Sequence, residues 1–254
     1  MINNKLKKKL KNGETALGTF IMCNSPDLVE VVGLSGLDFV VIDTEHGPLS
    51  LESTQHLIRA AELRGMSSII RITEFRDTTV LRALDVGAHG VQVPQVNDRI
   101  TAERIVKAAK YFPLGTRGAA LTRAADYGTV HPLKYFEHEN EETLIVVHCE
   151  SKSSLDNLEE IAAIPGIDVI FLGPFDMSQS LGIPAQVTHP LVEQAAEKVV
   201  KVANDAGIAA GIFVRSGDQV KIRVEQGFRY ITIGTDVGII GAAYRREISN
   251  ANSN

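Results

Sequence analysis

Phe39-Val40-Val41-Ile42-Asp43-Thr44-Glu45-His46-Gly47-Pro48 passes within ten residues from an unbroken apolar run to three ionisable side chains. The apolar run has no helical period and is mostly β-branched, so it reads as a buried strand ending at Asp43. The loop that leaves its carboxyl end sits where barrels and open α/β sheets place their chemistry. A histidine beside two carboxylates there suits a general base working near neutral pH. The same residues also suit a polar turn in which Asp43 accepts from backbone amides and His46 lies on the surface.

Seven further runs of the same kind flank this one: Ala16–Phe20, Ser68–Ile72, Gly90–Pro94, Leu144–Cys149, Val169–Gly173, Ala209–Val214 and Tyr230–Gly234. Segments of helical period lie between most of them. Ser25-Pro26 has the form of an N-cap followed by proline at the first helical position, and Leu51 to Arg64 places Leu57, Ile58 and Ala61 on one face. Thr78–Val86, Ala102–Ala109, Ser153–Ala163, Leu191–Ala206 and Asp218–Gln226 complete the helical set. Glycine falls shortly before most strands, as expected of helix C′ positions. Strict alternation of strands and helices implies parallel pairing, and eight units predict a single (β/α)8 TIM barrel over residues 1–254. No Gly-x-Gly-x-x-Gly follows an early strand and no P-loop appears, which disfavours a doubly wound nucleotide-binding sheet.

Composition agrees with that class: 254 residues, 44% hydrophobic and 22% charged, ordinary for a globule with a sizeable core. The formal charge of −5 gives no reason to expect nucleic acid or membrane as a partner. Lys5-Leu6-Lys7-Lys8-Lys9-Leu10-Lys11 reads as a short amphipathic N-terminal helix, leucines inward and lysines solvated. Cys23 and Cys149 have no metal-ligand spacing and suit a reducing cytoplasm, the expected location. No signal peptide or run long enough to span a bilayer is seen. Residues 95–143 are too long for a simple βα connection and read as an excursion with a lid or inter-subunit role. The polar tail 249–254 reads as frayed.

Strand ends meet at one mouth of a barrel, so their polar residues belong together: Asp43, Glu45 and His46, then Arg71, Gln92 and Gln95, then His148, Glu150 and Asp176. His148 and Glu150 are two apart and share a face. Glu150 and Asp176 lie on adjacent strand ends, and two carboxylates facing one cavity repel unless a cation lies between them. That favours Mg2+ or Mn2+, with Co2+ also suitable and Zn2+ less so; a structural ion pair with Lys152 or Arg71 is the competing reading. Arg71 suits a carboxylate or a developing enolate oxygen, or else a plug paired with Asp43. Gly173 and the amide of Phe175 offer N–H groups to an anion, which Pro174 cannot.

In this order the chain resembles the class II pyruvate-dependent aldolases of the 4-hydroxy-2-oxoheptanedioate and 2-keto-3-deoxy-sugar-acid family. The matching pieces are Val41-Ile-Asp-Thr-Glu-His-Gly-Pro48, Ile70-Arg71, Leu84-Asp-Val-Gly-Ala88, Pro113-Leu-Gly-Thr-Arg-Gly118, Glu150-Ser-Lys-Ser-Ser-Leu-Asp-Asn157 and Phe171-Leu-Gly-Pro-Phe-Asp-Met-Ser178. The resemblance implies reversible retro-aldol cleavage of a 4-hydroxy-2-oxo acid to pyruvate and an aldehyde. It implies a divalent metal on Glu150 and Asp176, and pyruvate bound by that metal and by the amides around Gly173 and Phe175. It also implies Arg71 on the enolate oxygen, proton transfer by His46 supported by Asp43, and a homo-oligomer, a hexamer, with the C-terminal helix exchanged between subunits. Two departures stand out. His148 replaces a glutamine common in the family, which leaves open a role as metal ligand, as a hydrogen-bond partner behind a ligand or as substrate contact, and Phe175 replaces a small residue beside the pocket. Oxaloacetate decarboxylation at the same metal, a Schiff-base aldolase using Lys152 and an idle pyruvate-binding barrel are the competing functions.

Overall fold

The computed structural model describes residues 3–253. Eight parallel strands close into a barrel in chain order: β1 (Ala16–Ile21), β2 (Phe39–Asp43), β3 (Ser67–Arg71), β4 (Gly90–Val93), β5 (Leu144–Cys149), β6 (Val169–Leu172), β7 (Ala209–Val214) and β8 (Tyr230–Thr235). Each expected run lies within one residue of a strand. The (β/α)8 fold is therefore the one the alternation predicts.

Strand parity sorts the side chains into two cores. Phe39, Val41, Ile69, Val146, Val169, Phe171 and Tyr230 point inward and pack together inside the barrel. Their neighbours Val40, Ile42, Ile70, Ile145 and Val147 point outward against helix residues such as Leu57 and Ile58. The interior is filled by alternating large and absent side chains. A Cβ on Gly18 would lie 2.5 Å from the Phe39 ring, and one on Gly211 would lie 2.9 Å from Phe171. Phe39 in turn stacks on Tyr230 with ring centroids 4.3 Å apart.

The N-terminal helix Lys5–Lys11 is present, with Asn4 as its side-chain cap. Its leucines join the barrel interior, so it stoppers the amino-terminal mouth of the barrel. Its lysines are not all solvated: Lys7 is buried, and its Nζ donates to Thr143 O at 2.8 Å and pairs with Asp168 at 3.0 Å. The excursion begins with the helix Arg99–Ala109 and later adds a helix, Pro132–Glu142, that the sequence reading lacks. Between them Tyr111, Ala125 and Tyr135 form a small separate core. The segment read as one helix over Ser153–Ala163 is two short pieces, Lys152–Asp156 and Leu158–Ala162. A last helix, Asp236–Ala251, carries order further than the expected frayed tail allowed; Asn254 lies outside the described residues.

Candidate active site

The carboxyl ends of the strands bring the expected polar residues to one mouth. Asp43 and Arg71 are partners in the β2–β3 register. Their side chains meet in a two-pronged pair, Arg71 Nε to Asp43 Oδ1 at 2.9 Å and Nη2 to Oδ2 at 2.6 Å. Asp43 is 1% exposed, and its Oδ1 also accepts the backbone N–H groups of Glu45 and His46 at 3.1 and 3.3 Å. The guanidinium lies over the Phe20 ring, 4.7 Å from the centroid. Both readings of these residues thus coexist: Asp43 caps the turn and also holds Arg71.

That arrangement reassigns the carboxylate beside His46. Asp43 touches only the His46 backbone, whereas Glu45 Oε2 lies 3.8 Å from His46 Nε2 and 3.3 Å from Arg71 Nη1. The imidazole is 61% exposed at the mouth, free to meet a ligand. Burial raises the Glu45 carboxyl above its ordinary range, against the opposing pull of Arg71 and His46.

Across the mouth, β5 runs out into Glu150, which is buried. One carboxylate oxygen accepts from Gln95 N at 2.7 Å and the other meets His148 Nδ1 at 2.6 Å. Burial alone would raise this carboxyl, but His148 and the Gln95 amide overrule it and hold it below the ordinary range. Gln95 sits at φ +54°, the left-handed turn that aims its N–H at Glu150. Gly173 explains how a second carboxylate approaches. A Cβ there would lie 3.0 Å from Glu150 Oε2 and 3.7 Å from Asp176 Oδ2, so both acids overhang the same bare Cα. Among the described residues no group of three or more His, Cys, Asp or Glu side chains forms a metal cage. Two hard oxygen donors with open space around them fit a cation that keeps its remaining positions for water and substrate, as Mg2+ and Mn2+ do.

Two expectations shift. The Gly173 N–H donates to Cys149 O at 3.3 Å, so it is committed within the backbone. The N–H groups of Phe175 and Asp176, in the first turn of the helix Pro174–Ser180, have no intrahelical acceptor and remain for an anion. His148, expected among the substrate contacts, is 2% exposed with both ring nitrogens turned to protein groups: Glu150 on one side and Gln92 Nε2, 2.8 Å away, on the other. Gln92, which the sequence places among the strand-end residues, and Tyr230, which it shows only as a strand residue, complete this buried chain.

The residues surround a cavity of about 420 Å³. Its lining is mixed: Asp43, His46, Arg71, Glu150 and Asp176 supply the polar groups, and Phe20, Phe213 and the half-exposed Phe175 supply apolar surface. A larger hollow of about 1070 Å³ lies at the opposite end, by Lys7 and Lys110, where barrels keep residues for stability. Lys152, the candidate for Schiff-base chemistry, is exposed and pairs with Asp156 at 2.6 Å outside the site cavity.

Residues 16–243 match the HpcH/HpaI aldolase/citrate lyase family. The chain is 31% identical over 251 residues to 2-keto-3-deoxy-L-rhamnonate aldolase of Escherichia coli strain K12, across 98% of this chain and 93% of that protein. An HpcH/HpaI aldolase from Desulfitobacterium hafniense DCB-2 superposes with a TM-score of 0.94 at 30% identity, covering 98% of this chain and 97% of that one. Citrate synthase SbnG superposes with a TM-score of 0.88 at 34% identity, covering 97% of each chain. The chain therefore belongs to the HpcH/HpaI aldolase/citrate lyase family, and the activity that this membership carries is carbon–carbon lyase chemistry, the retro-aldol cleavage of a 4-hydroxy-2-oxo acid to pyruvate and an aldehyde.

Proposed function

We propose that this lyase is a class II aldolase whose divalent cation, Mg2+ or Mn2+, is held by Glu150 and Asp176. The observation that supports the reading is the convergence of those two carboxylates over Gly173. When bound, the cation supplies Lewis acidity toward the 2-oxo and carboxylate oxygens of the substrate. The free N–H groups of Phe175 and Asp176 add donors for that carboxylate.

The chain's own residues divide the remaining work. His46, exposed at the mouth, takes the proton of the C4 hydroxyl. The C3–C4 bond then breaks, the aldehyde departs, and the bonding pair moves into the C2–C3 bond of the pyruvate enolate. Arg71, held in place by Asp43, donates to the oxygen on which that charge develops. Protonation of the enolate at C3 yields pyruvate. The rings of Phe20, Phe175 and Phe213 in the cavity lining limit the water that reaches the reacting groups.

The same reading makes the protein a cytoplasmic homo-oligomer, a hexamer in which the last helix packs on a neighbour. Val237, Ile240, Tyr244 and Ile248 recur at helical spacing on that helix and are exposed, which suits a partner surface. The decisive experiment uses pyruvate and a panel of aldehydes in the condensation direction. EDTA should abolish turnover and Mn2+ should restore it, while borohydride with pyruvate should leave every lysine unlabelled. Covalent trapping on Lys152, with activity that survives EDTA, would refute the metal reading.

A further inference from the structure

A hydrogen-bonded chain crosses the sealed interior of the barrel from β8 through β4 to β5 and ends on Glu150. Tyr230 OH donates to Gln92 Oε1 at 2.9 Å, Gln92 Nε2 lies 2.8 Å from His148 Nε2, and His148 Nδ1 lies 2.6 Å from Glu150 Oε2. Tyr230 and Gln92 are fully buried and His148 nearly so. The ring of His148 packs on Phe171 at 4.9 Å, and Phe171 meets Tyr230 edge-on at 5.9 Å, which leaves the imidazole little room to turn.

Direction along this chain follows from hydrogen-bond accounting. Burial keeps the Tyr230 phenol protonated, since it raises that group well above its ordinary range. The phenol proton has Gln92 as its acceptor, so the Gln92 carbonyl faces Tyr230 and the amide NH2 faces His148. An N–H donor at 2.8 Å requires a lone pair on His148 Nε2, which places the ring proton on Nδ1, aimed at Glu150. Turning the amide over would leave the Tyr230 proton without its acceptor in the core.

We infer that Tyr230 and Gln92 are positioning residues: through His148 they set which nitrogen carries the proton and so orient the Glu150 carboxylate, while taking Nε2 of His148 out of reach as a ligand. The inference rests on Glu150 holding the metal, and it gives His148 a supporting place behind that ligand. Such supporting hydrogen bonds change metal affinity by about 10–100-fold.

The test starts with metal-free full-length chain carrying 15N-labelled histidine. Long-range 1H–15N correlation should show His148 protonated on Nδ1 and bare on Nε2. Gln92→Glu, which can only accept from the ring, should move a proton onto Nε2. Tyr230→Phe, which keeps the ring and the Phe39 stack, should mix the two tautomers and weaken Mn2+ binding about tenfold, read by EPR of free Mn2+. A wild-type ring protonated on Nε2 alone, or a Tyr230→Phe chain with wild-type tautomer and wild-type Mn2+ affinity, would overturn the inference. Wild-type chain that shows the Nδ1–H tautomer but binds no Mn2+ would sink the metal reading instead, so the two failures are distinguishable.

Discussion

Asp43→Asn separates two roles that one carboxylate can play. In the native site Oδ2 accepts only Arg71 Nη2, at 2.6 Å, whereas Oδ1 accepts Arg71 Nε and two backbone N–H groups. Asparagine can keep its oxygen on the Oδ1 side and satisfy those three donors. Its NH2 then faces Nη2, donor against donor, at a contact that now carries a charged hydrogen bond. Removing one partner of a buried ion pair costs about 3–5 kcal/mol. Glu45, 3.3 Å from Nη1, keeps a counter-charge near the guanidinium, so the lower end of that range, about 3 kcal/mol, applies here. In a chain of this size that corresponds to a fall in Tm of about 6–12 °C, measurable by calorimetry or as a lower urea midpoint. Arg71 would lose its fixed aim at the developing oxyanion, and kcat should fall about 100-fold. The pH–rate profile should keep its shape, because Asp43 touches the His46 backbone and not its ring. A variant of native stability would refute the energetic argument. A profile displaced by a full pH unit would show that Asp43 acts on the imidazole after all.

Three further outcomes follow from the geometry. His46→Ala should cut cleavage sharply while Mn2+ affinity stays near that of the native chain, and lost metal binding would mean that the roles are misassigned. Gly173→Ala inserts a Cβ 3.0 Å from Glu150 Oε2 and 3.1 Å from Glu150 Cβ; Mn2+ affinity should fall about tenfold or more, and titration by EPR or calorimetry checks it. Lys110 lies between the carbonyls of Asn140 and Thr143, and burial, aided by Lys7, lowers its ammonium to about 7. An unfolded lysine titrates near 10.4, so between about pH 7 and 10.4 the unfolded chain binds a proton that the native chain lacks. This group's contribution to stability therefore rises with pH through that window, by up to about 1.4 kcal/mol per unit. Urea midpoints at pH 7.5 and 9 should show that rise flattened in Lys110→Met, and equal slopes in both chains would refute it.

The barrel was legible because its strands carry no ambiguity of period. Val40-Val41-Ile42 cannot be a solvent-facing helix, and most such runs are preceded by a glycine that ends a helix. The helix Pro132–Glu142 was not legible, since only Tyr135 of its eleven residues is buried and no apolar stripe marks a face. The helix Pro174–Ser180 escaped for a related reason: at seven residues it is too short to show a period. Lys7 shows the opposite failure. A lysine within a run of lysines reads as solvent-facing, and only the return of Thr143 and Asp168 to the same end of the barrel gives it buried partners.

At the site, position along the chain was readable, while pairing was readable only as alternatives. Parity placed Asp43 at an inward strand tip, but the β2–β3 register decides that Arg71 is its neighbour. Once Asp43 is committed to Arg71, the carboxylate left for the His46 ring is Glu45, where the family resemblance implies Asp43. The same logic holds across the barrel. His148 and Glu150 share a face by their spacing, yet what His148 does depends on Gln92 and Tyr230, which reach it from β4 and β8. A closed barrel makes residues 138 positions apart into hydrogen-bond partners. Side chains that merely fill the interior in the sequence thus become the groups that orient the acid at its mouth.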